Sequence, residues 1–235
     1  MSADRSLPDG LYRDISYHDY DAIPRLRHGD LKRIERSPMA FRQNELMDGA
    51  IGGDTPALAF GRAAHLAVLE PEAFERECAL FVGTRRGKAW ESFCLDNAGK
   101  TILTEADHAR VAHVAAAVRS HKVARELLAE GWAESTALWT VDGVRAKARP
   151  DWLDPSRGLL VDLKTCQDPS PGAFGKDAGK FRYHCQMAFY ADSALACGVS
   201  MMQRVCLIAA QSCEPYDVVV YNVSVPILEL GRRIY

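Results

Sequence analysis

Residues 158–165, Gly-Leu-Leu-Val-Asp-Leu-Lys-Thr, constrain the fold more than any other stretch of the chain. In extended chain, Leu159, Val161 and Leu163 point to one side, and Leu160, Asp162 and Lys164 to the other. Apolar residues on both sides mark a strand packed inside a sheet rather than one with a wet face. Yet the run carries an acid and a base on the same face. Burying the two is costly unless they are paired, hydrated or bound to a metal. Two readings follow: an internal Asp162–Lys164 pair at a strand end, or a chemical site.

The flanking sequence supplies the strand's neighbours. Asp142-Gly143 sits between two strand-like runs, 135–141 and 144–154, and is a strong hairpin signal. Pro155-Ser156-Arg157-Gly158 makes the next turn and leads into the strand above. Pro150 lacks an N–H for the ladder, so the preceding strand should end or bend there. The reversal then brings Asp151, eleven residues upstream, back beside Asp162.

Earlier, the spacing predicts a short helix at 29–36 stopped by Ser37-Pro38, a mobile polar loop at 43–56, a mostly buried helix at 57–71 and an amphipathic helix at 105–130. Later come a helix at 180–196, strands at 202–210 and 217–224, and a final helical start at Pro226. The order implies a single α/β (α+β) domain over 1–235, a mixed central β-sheet flanked by helices, with residues 1–14 flexible.

Composition narrows the function. The chain has 235 residues, 29 basic and 31 acidic, for a net charge of −2. A protein that coats nucleic acid nonspecifically is more basic than this, so any DNA contact must use local clusters. One such cluster, Arg145, Lys147 and Arg149, shares a strand face by parity and would lead towards Asp151 as a phosphate track. Seven scattered cysteines without a C-x-x-C pair argue against a disulfide framework, a zinc knuckle or an iron–sulfur cluster. No apolar run approaches the roughly 20 residues of a membrane helix, and no signal-peptide pattern opens the chain. The expected location is cytoplasmic.

Two carboxylates brought together repel, and a divalent cation is the usual remedy; hard oxygens suit Mg²⁺, with Mn²⁺ as a substitute. Lys164 is then placed to orient the attacking water at a phosphodiester. The pattern P-D, a spacer, then D-x-K resembles that of the P-D-(D/E)-x-K nuclease superfamily with its restriction-endonuclease-like core. Within it the chain is similar to the exonuclease VIII (RecE-type) recombination exonucleases and to the nuclease domain of RecB. Three segments carry the likeness: 61–74 (GRAAHLAVLEPEAF), the two strands VRAKARPDWLD and LLVDLKT, and 183–190 (YHCQMAFY).

The resemblance implies metal ligation by His65, Asp151 and Asp162, catalysis by Asp151, Asp162 and Lys164, and a Gln186–Tyr190 pair that holds a phosphate or fixes Lys164. Tyr183 could extend that helix face. Thr165 and Arg149 are expected as supporting or DNA-contacting residues, and Glu134 as a further acid. It also implies hydrolysis of DNA from duplex ends, 5′→3′, by a toroidal homo-oligomer acting with a single-strand annealing protein. Family members continue with a further helical segment beyond the position of Tyr235. A structure-specific endonuclease and a catalytically silent DNA-binding module remain as alternatives.

Overall fold

The structure, a computed structural model, describes residues 7–46 and 55–235. The chain opens with β1 (Gly10–Tyr12), α1 (Tyr17–Ala22), α2 (His28–Arg36) and α3 (Pro38–Leu46). Then come α4 (Pro56–Leu69), α5 (Pro71–Glu77), β2 (Cys78–Phe81), α6 (Gly87–Asp96), β3 (Thr101–Thr104), α7 (Glu105–Ser120) and α8 (Lys122–Leu127). The rest is β4 (Trp132–Ala133), β5 (Thr136–Val141), β6 (Val144–Ala148), β7 (Trp152–Asp154), β8 (Leu159–Cys166), α9 (Pro171–Phe181), α10 (Tyr183–Ala196), β9 (Arg204–Gln211), β10 (Val218–Asn222) and α11 (Val225–Arg232).

The central sheet has five strands in the order β10-β9-β8-β7-β4, with β8 and β9 parallel and the other pairs antiparallel. A mixed sheet flanked by helices is therefore present. The strand β8 sits at its centre, and its parity is the one the sequence dictates. Leu159, Val161 and Leu163 pack with α4, α7 and α8 in one core. Leu160, on the other face, packs with Met187, Ala188 and Ala191 of α10. Asp162 follows Leu160 on that second face and is fully buried.

The turns obey their chemistry. Asp142 (φ 50) and Gly143 (φ 78) both lie in the left-handed region, as a two-residue hairpin between β5 and β6 needs. Gly158 (φ 57) opens β8, and a Cβ there would stand 2.1 Å from the Met201 carbonyl oxygen. Thr55 caps α4 by accepting from the Leu58 N–H, and Pro56 occupies its first turn.

Several expectations need correction. The hairpin β5–β6 does not join the central sheet; it pairs with β1 in a separate three-stranded sheet. Within the segment expected to be flexible, residues 1–6 lie outside the described residues, but Gly10–Tyr12 form β1. Its neighbour Asp9 pairs with the buried Arg25 at 2.6 Å. Of the loop expected at 43–56, residues 47–54 lie outside the described residues, and 43–46 finish α3. The long helix at 105–130 breaks at His121, which is extended (φ −69, ψ 115) and whose ring accepts the Ala124 N–H to cap α8. The helix at 180–196 is two helices that meet at Arg182, which is left-handed (φ 58, ψ 45).

Lys147 overturns the phosphate track. It is 3% exposed, and its Nζ donates to the carbonyls of Tyr20, Asp21 and Ile23 at 2.8, 2.9 and 2.8 Å. Two of these carbonyls belong to the last turn of α1 and the third to its C-cap, so the ammonium closes that helix's negative end. Alternation put Lys147 on the same face as Arg145 and Arg149, but at Lys147 that face is covered by the end of α1, while Arg145 stays exposed.

Candidate active site

The site forms where the sheet ladder gives out. Pairing of β7 with β8 reaches Trp152 opposite Val161 and stops. Past that point Asp151 supplies the missing acceptor: its Oδ2 takes the Leu163 N–H at 2.7 Å. The Asp151 carbonyl in turn accepts the Glu134 N–H at 3.0 Å. Glu134, between β4 and β5, is held at φ 48, a conformation that costs a non-glycine residue on the order of 1 kcal/mol. That backbone strain delivers its carboxylate to Asp151.

From above, α4 brings His65, whose Nδ1 lies 3.4 Å from Asp151 Oδ2. Ligand atoms of His65, Glu134 and Asp151 all lie within 4.8 Å of one another. Donor atoms gathered this closely would be the ones to converge on a shared ion. Asp162 stands beside the cluster. Lys164 Nζ is 2.5 Å from its Oδ2. So the internal Asp–Lys pair exists, but it does not saturate the acid. The ammonium engages Oδ2 alone, and among the described residues Oδ1 is buried with no donor of its own, which leaves lone pairs free.

The electrostatics point the same way. Burial and the neighbouring Asp151 push the Glu134 carboxyl up to about 8. Burial pushes Asp151 up to about 6, and burial with Asp151 does the same to Asp162. His65 is pushed down to about 4 by burial and by Lys164, so its ring is neutral and able to ligate at pH 7. Burial opposes the Lys164 ammonium, but Asp162 and Asp151 outweigh it and hold its pKa above the ordinary value. Three acids that resist ionising, beside a neutral imidazole, are what an acidic metal site presents without its metal. The donor set of carboxylates and one imidazole fits a hard divalent cation.

The remaining predicted residues surround this centre. Gln186 and Tyr190 meet on one face of α10, the amide Nε2 donating to the phenol oxygen at 3.0 Å. Contact with Lys164 comes instead from Tyr183, whose ring centroid is 5.0 Å from Nζ. Arg149 is committed inward: Nε donates to Glu134 Oε2 at 2.8 Å, and Nη1 to the Ile15 carbonyl at 2.7 Å and to Thr136 Oγ1 at 3.2 Å. It steadies Glu134. Thr165 lies against α4, where a Cβ on Gly61 would come within 3.8 Å of its Oγ1. All of these except Asp162 line one cleft of about 1280 Å³, which Tyr17, Tyr20, Lys32 and Glu70 also border. Tyr20 carries no sequence signal and reaches the site through tertiary folding, whereas Glu70 lies in the 61–74 segment and caps the helix that presents His65.

The family model described as PDDEXK-like domain of unknown function (DUF3799) matches residues 28–233, a span that holds His65, Glu134, Asp151, Asp162, Lys164, Gln186 and Tyr190 but not the cleft residues Tyr17 and Tyr20. No curated protein matches the chain. Among solved structures, a candidate exonuclease of Eubacterium rectale is similar, with a TM-score of 0.62 at 14% identity over 89% of this chain and 76% of that one. At that identity the likeness is one of fold. The structure of SSO0001 gives a TM-score of 0.40 at 12% identity over 89% and 74% of the two chains, and carries no argument. Among the described residues, no helix is long and apolar enough to cross a membrane.

Proposed function

The chain belongs to the PDDEXK-like family DUF3799, and from that premise we propose that it is a metal-dependent deoxyribonuclease. The observation that carries the reading is the gathering of His65, Glu134 and Asp151 within 4.8 Å beside the buried Asp162–Lys164 pair. The family membership and the donor chemistry support it together. The cleft, at about 1280 Å³, exceeds what small-molecule pockets usually offer and leaves room for a nucleic acid strand.

His65, Glu134, Asp151 and Asp162 are the residues to hold a divalent cation, Mg²⁺ in our reading, which would neutralise the acids and polarise a phosphodiester. The chain's own groups do the rest. Lys164, kept charged by Asp162, cannot serve as a base; it stabilises negative charge and orients the incoming water. The Tyr183 ring limits where that ammonium can swing. The Gln186–Tyr190 pair offers an amide and a phenol to a phosphate oxygen. Arg149 keeps Glu134 aimed at Asp151.

The finer reading is a 5′→3′ exonuclease on duplex ends, of the RecE type, with a single-strand annealing partner and a toroidal homo-oligomer. The order of the sequence motifs supports it, and the name of the Eubacterium rectale neighbour supports the exonuclease part alone. The test is digestion of linear duplex DNA, 5′-labelled on one strand, and of a closed circular duplex. Mg²⁺, Mn²⁺, Ca²⁺ or EDTA is present, and wild type is compared with Asp162→Ala. We expect loss of label from linear DNA alone, dependent on Mg²⁺ or Mn²⁺ and reduced about a thousandfold in the variant. Cutting of the circle would establish the endonuclease instead. Binding without any cutting would leave a silent module.

A further inference from the structure

The corner between α9 and α10 is turned by an arginine where glycine or asparagine would be easier. Arg182 takes left-handed dihedrals (φ 58, ψ 45), at a cost on the order of 1 kcal/mol. Its guanidinium reaches Glu35 of α2 through both terminal nitrogens, Nη2 lying 3.1 Å from Oε1. Lys32, one turn earlier on α2, donates from Nζ to the Phe181 carbonyl at 2.5 Å and ties the helix to the same corner. Between them lies a cavity of about 360 Å³ lined by Lys32, Glu35, Arg36, Lys180 and Arg182. Four cations thus face one carboxylate on a concave surface, and such a surface repels itself until an anion enters.

This cavity adjoins the catalytic cleft. Lys32 lines both. Tyr183, the residue after Arg182, is the one whose ring underlies Lys164. Lys32 also feels its neighbours: burial, Lys164 and Arg182 all push its ammonium below the ordinary range, a strain that a bound anion would relieve. Glu35 holds the guanidinium only through an exposed pair, the kind worth about 1 kcal/mol or less. A phosphate would give Arg182 the same two-pronged acceptor and would meet three more cations in the pocket.

We propose that the pocket of Lys32, Arg36, Lys180 and Arg182 is a phosphate subsite that holds the DNA strand next to the phosphate being cut, with Glu35 as the counter-ion displaced on binding. It deepens the nuclease reading above and rests on it. The ligand is a phosphate group, either within the strand or at its end.

The experiment is fluorescence anisotropy of a labelled duplex with Ca²⁺, across a salt series, in an Asp162→Asn background so that the DNA persists. In Arg36→Gln/Lys180→Gln, which alters two exposed side chains, Kd should rise about three- to tenfold and the salt slope fall by about 1–2. Glu35→Gln should act in the opposite direction and tighten binding about two- to fivefold. An ion pair that merely braced the fold would give weaker binding there, and that result would overturn the counter-ion role. Duplexes with 5′-phosphate, 3′-phosphate or hydroxyl ends separate the two sources. An effect confined to phosphorylated ends assigns a terminal phosphate, and an equal effect on all assigns an internal one. If the double variant binds with unchanged Kd and slope while a chain with Asp162 intact cuts the same duplex in Mg²⁺, the subsite is wrong and the nuclease stands. If the chain neither binds nor cuts, both fall.

Discussion

Replacing Glu134 by glutamine should make the metal-free protein more stable while impairing the site. Glu134 is pushed up to about 8 by burial and by Asp151, against an ordinary value of 4.5. At pH 7 and without metal, the folded state therefore keeps the group largely protonated. Taking up that proton against the ordinary pKa spans about 2.5 pH units at ~1.4 kcal/mol each, or about 3 kcal/mol. Glutamine avoids this cost. It also keeps an oxygen for Arg149 Nε, now 2.8 Å away, which the protonated acid likewise offers as a neutral acceptor, so that bond loses about 1 kcal/mol at most. The net gain is about 1–3 kcal/mol, and a chain of this size translates it into about 2–10 °C in Tm. Thermal melts in EDTA at pH 7 read it directly, and at pH 5 the difference should shrink because the wild-type proton is then nearly free of cost. Added Mn²⁺ should raise the wild-type Tm more than that of the variant. A Glu134→Gln protein that melts lower than wild type in EDTA at pH 7, or that gains as much from Mn²⁺, would refute the charge-excess account.

Three further outcomes follow from the same geometry. The raised pKa values of Asp151 and Asp162, about 6, and of Glu134, about 8, give stability that is present below the ordinary carboxylate range and is lost as pH rises through 6 to 8. His65, depressed to about 4, adds stability as pH rises towards its ordinary 6.5 and masks part of that loss. So the metal-free Tm should fall most clearly between about pH 6.5 and 8, and saturating Mn²⁺ should flatten the fall; a metal-free Tm that rises over this window would contradict it. Lys147→Met should cost about 2–4 kcal/mol in chemical denaturation, since the Asp21 carbonyl loses its donor and those of Tyr20 and Ile23 keep only a backbone N–H, and should leave cleavage per folded molecule unchanged. A loss of DNA affinity with normal stability would instead restore the phosphate track. Gly158→Ala should destabilise by about 3 kcal/mol or more, because the new Cβ meets the Met201 carbonyl oxygen in a left-handed turn; a neutral effect on the urea midpoint would show that the β8 entry can shift.

What could be read from the sequence was whatever a short period or a single turn encodes. The parity of 159–164 needs only alternation, and Asp142-Gly143 needs only the positive φ its residues tolerate, so both were legible. The break at His121 was not, because the apolar spacing of 111–128 runs on in phase across it. The strands β2 and β3 lack a clean alternation, and their parallel pairing joins segments that touch only after α6 intervenes. At the site, Asp151 and Asp162 could be paired through one tight turn. Glu134 was a weaker candidate, since its approach depends on a left-handed residue 17 positions before Asp151 in the same chain, not on any local motif. Lys147 misled because alternation assigns a face but cannot say whether that face is wet.

The hydrogen bond from the Leu163 amide to Asp151 ties the chemistry of this protein to its architecture in an unequal way. His65 and Glu134 can drift to other residues with the sheet intact, because neither closes the ladder. Asp151 cannot: a lineage that abandoned cleavage would still be selected to keep an acceptor at that position, and asparagine could supply one. Asp151 on its own is thus a poor witness to activity among the chain's relatives, while His65 and Glu134, which supply no acceptor to the ladder amide of Leu163, are the residues whose retention would testify to it.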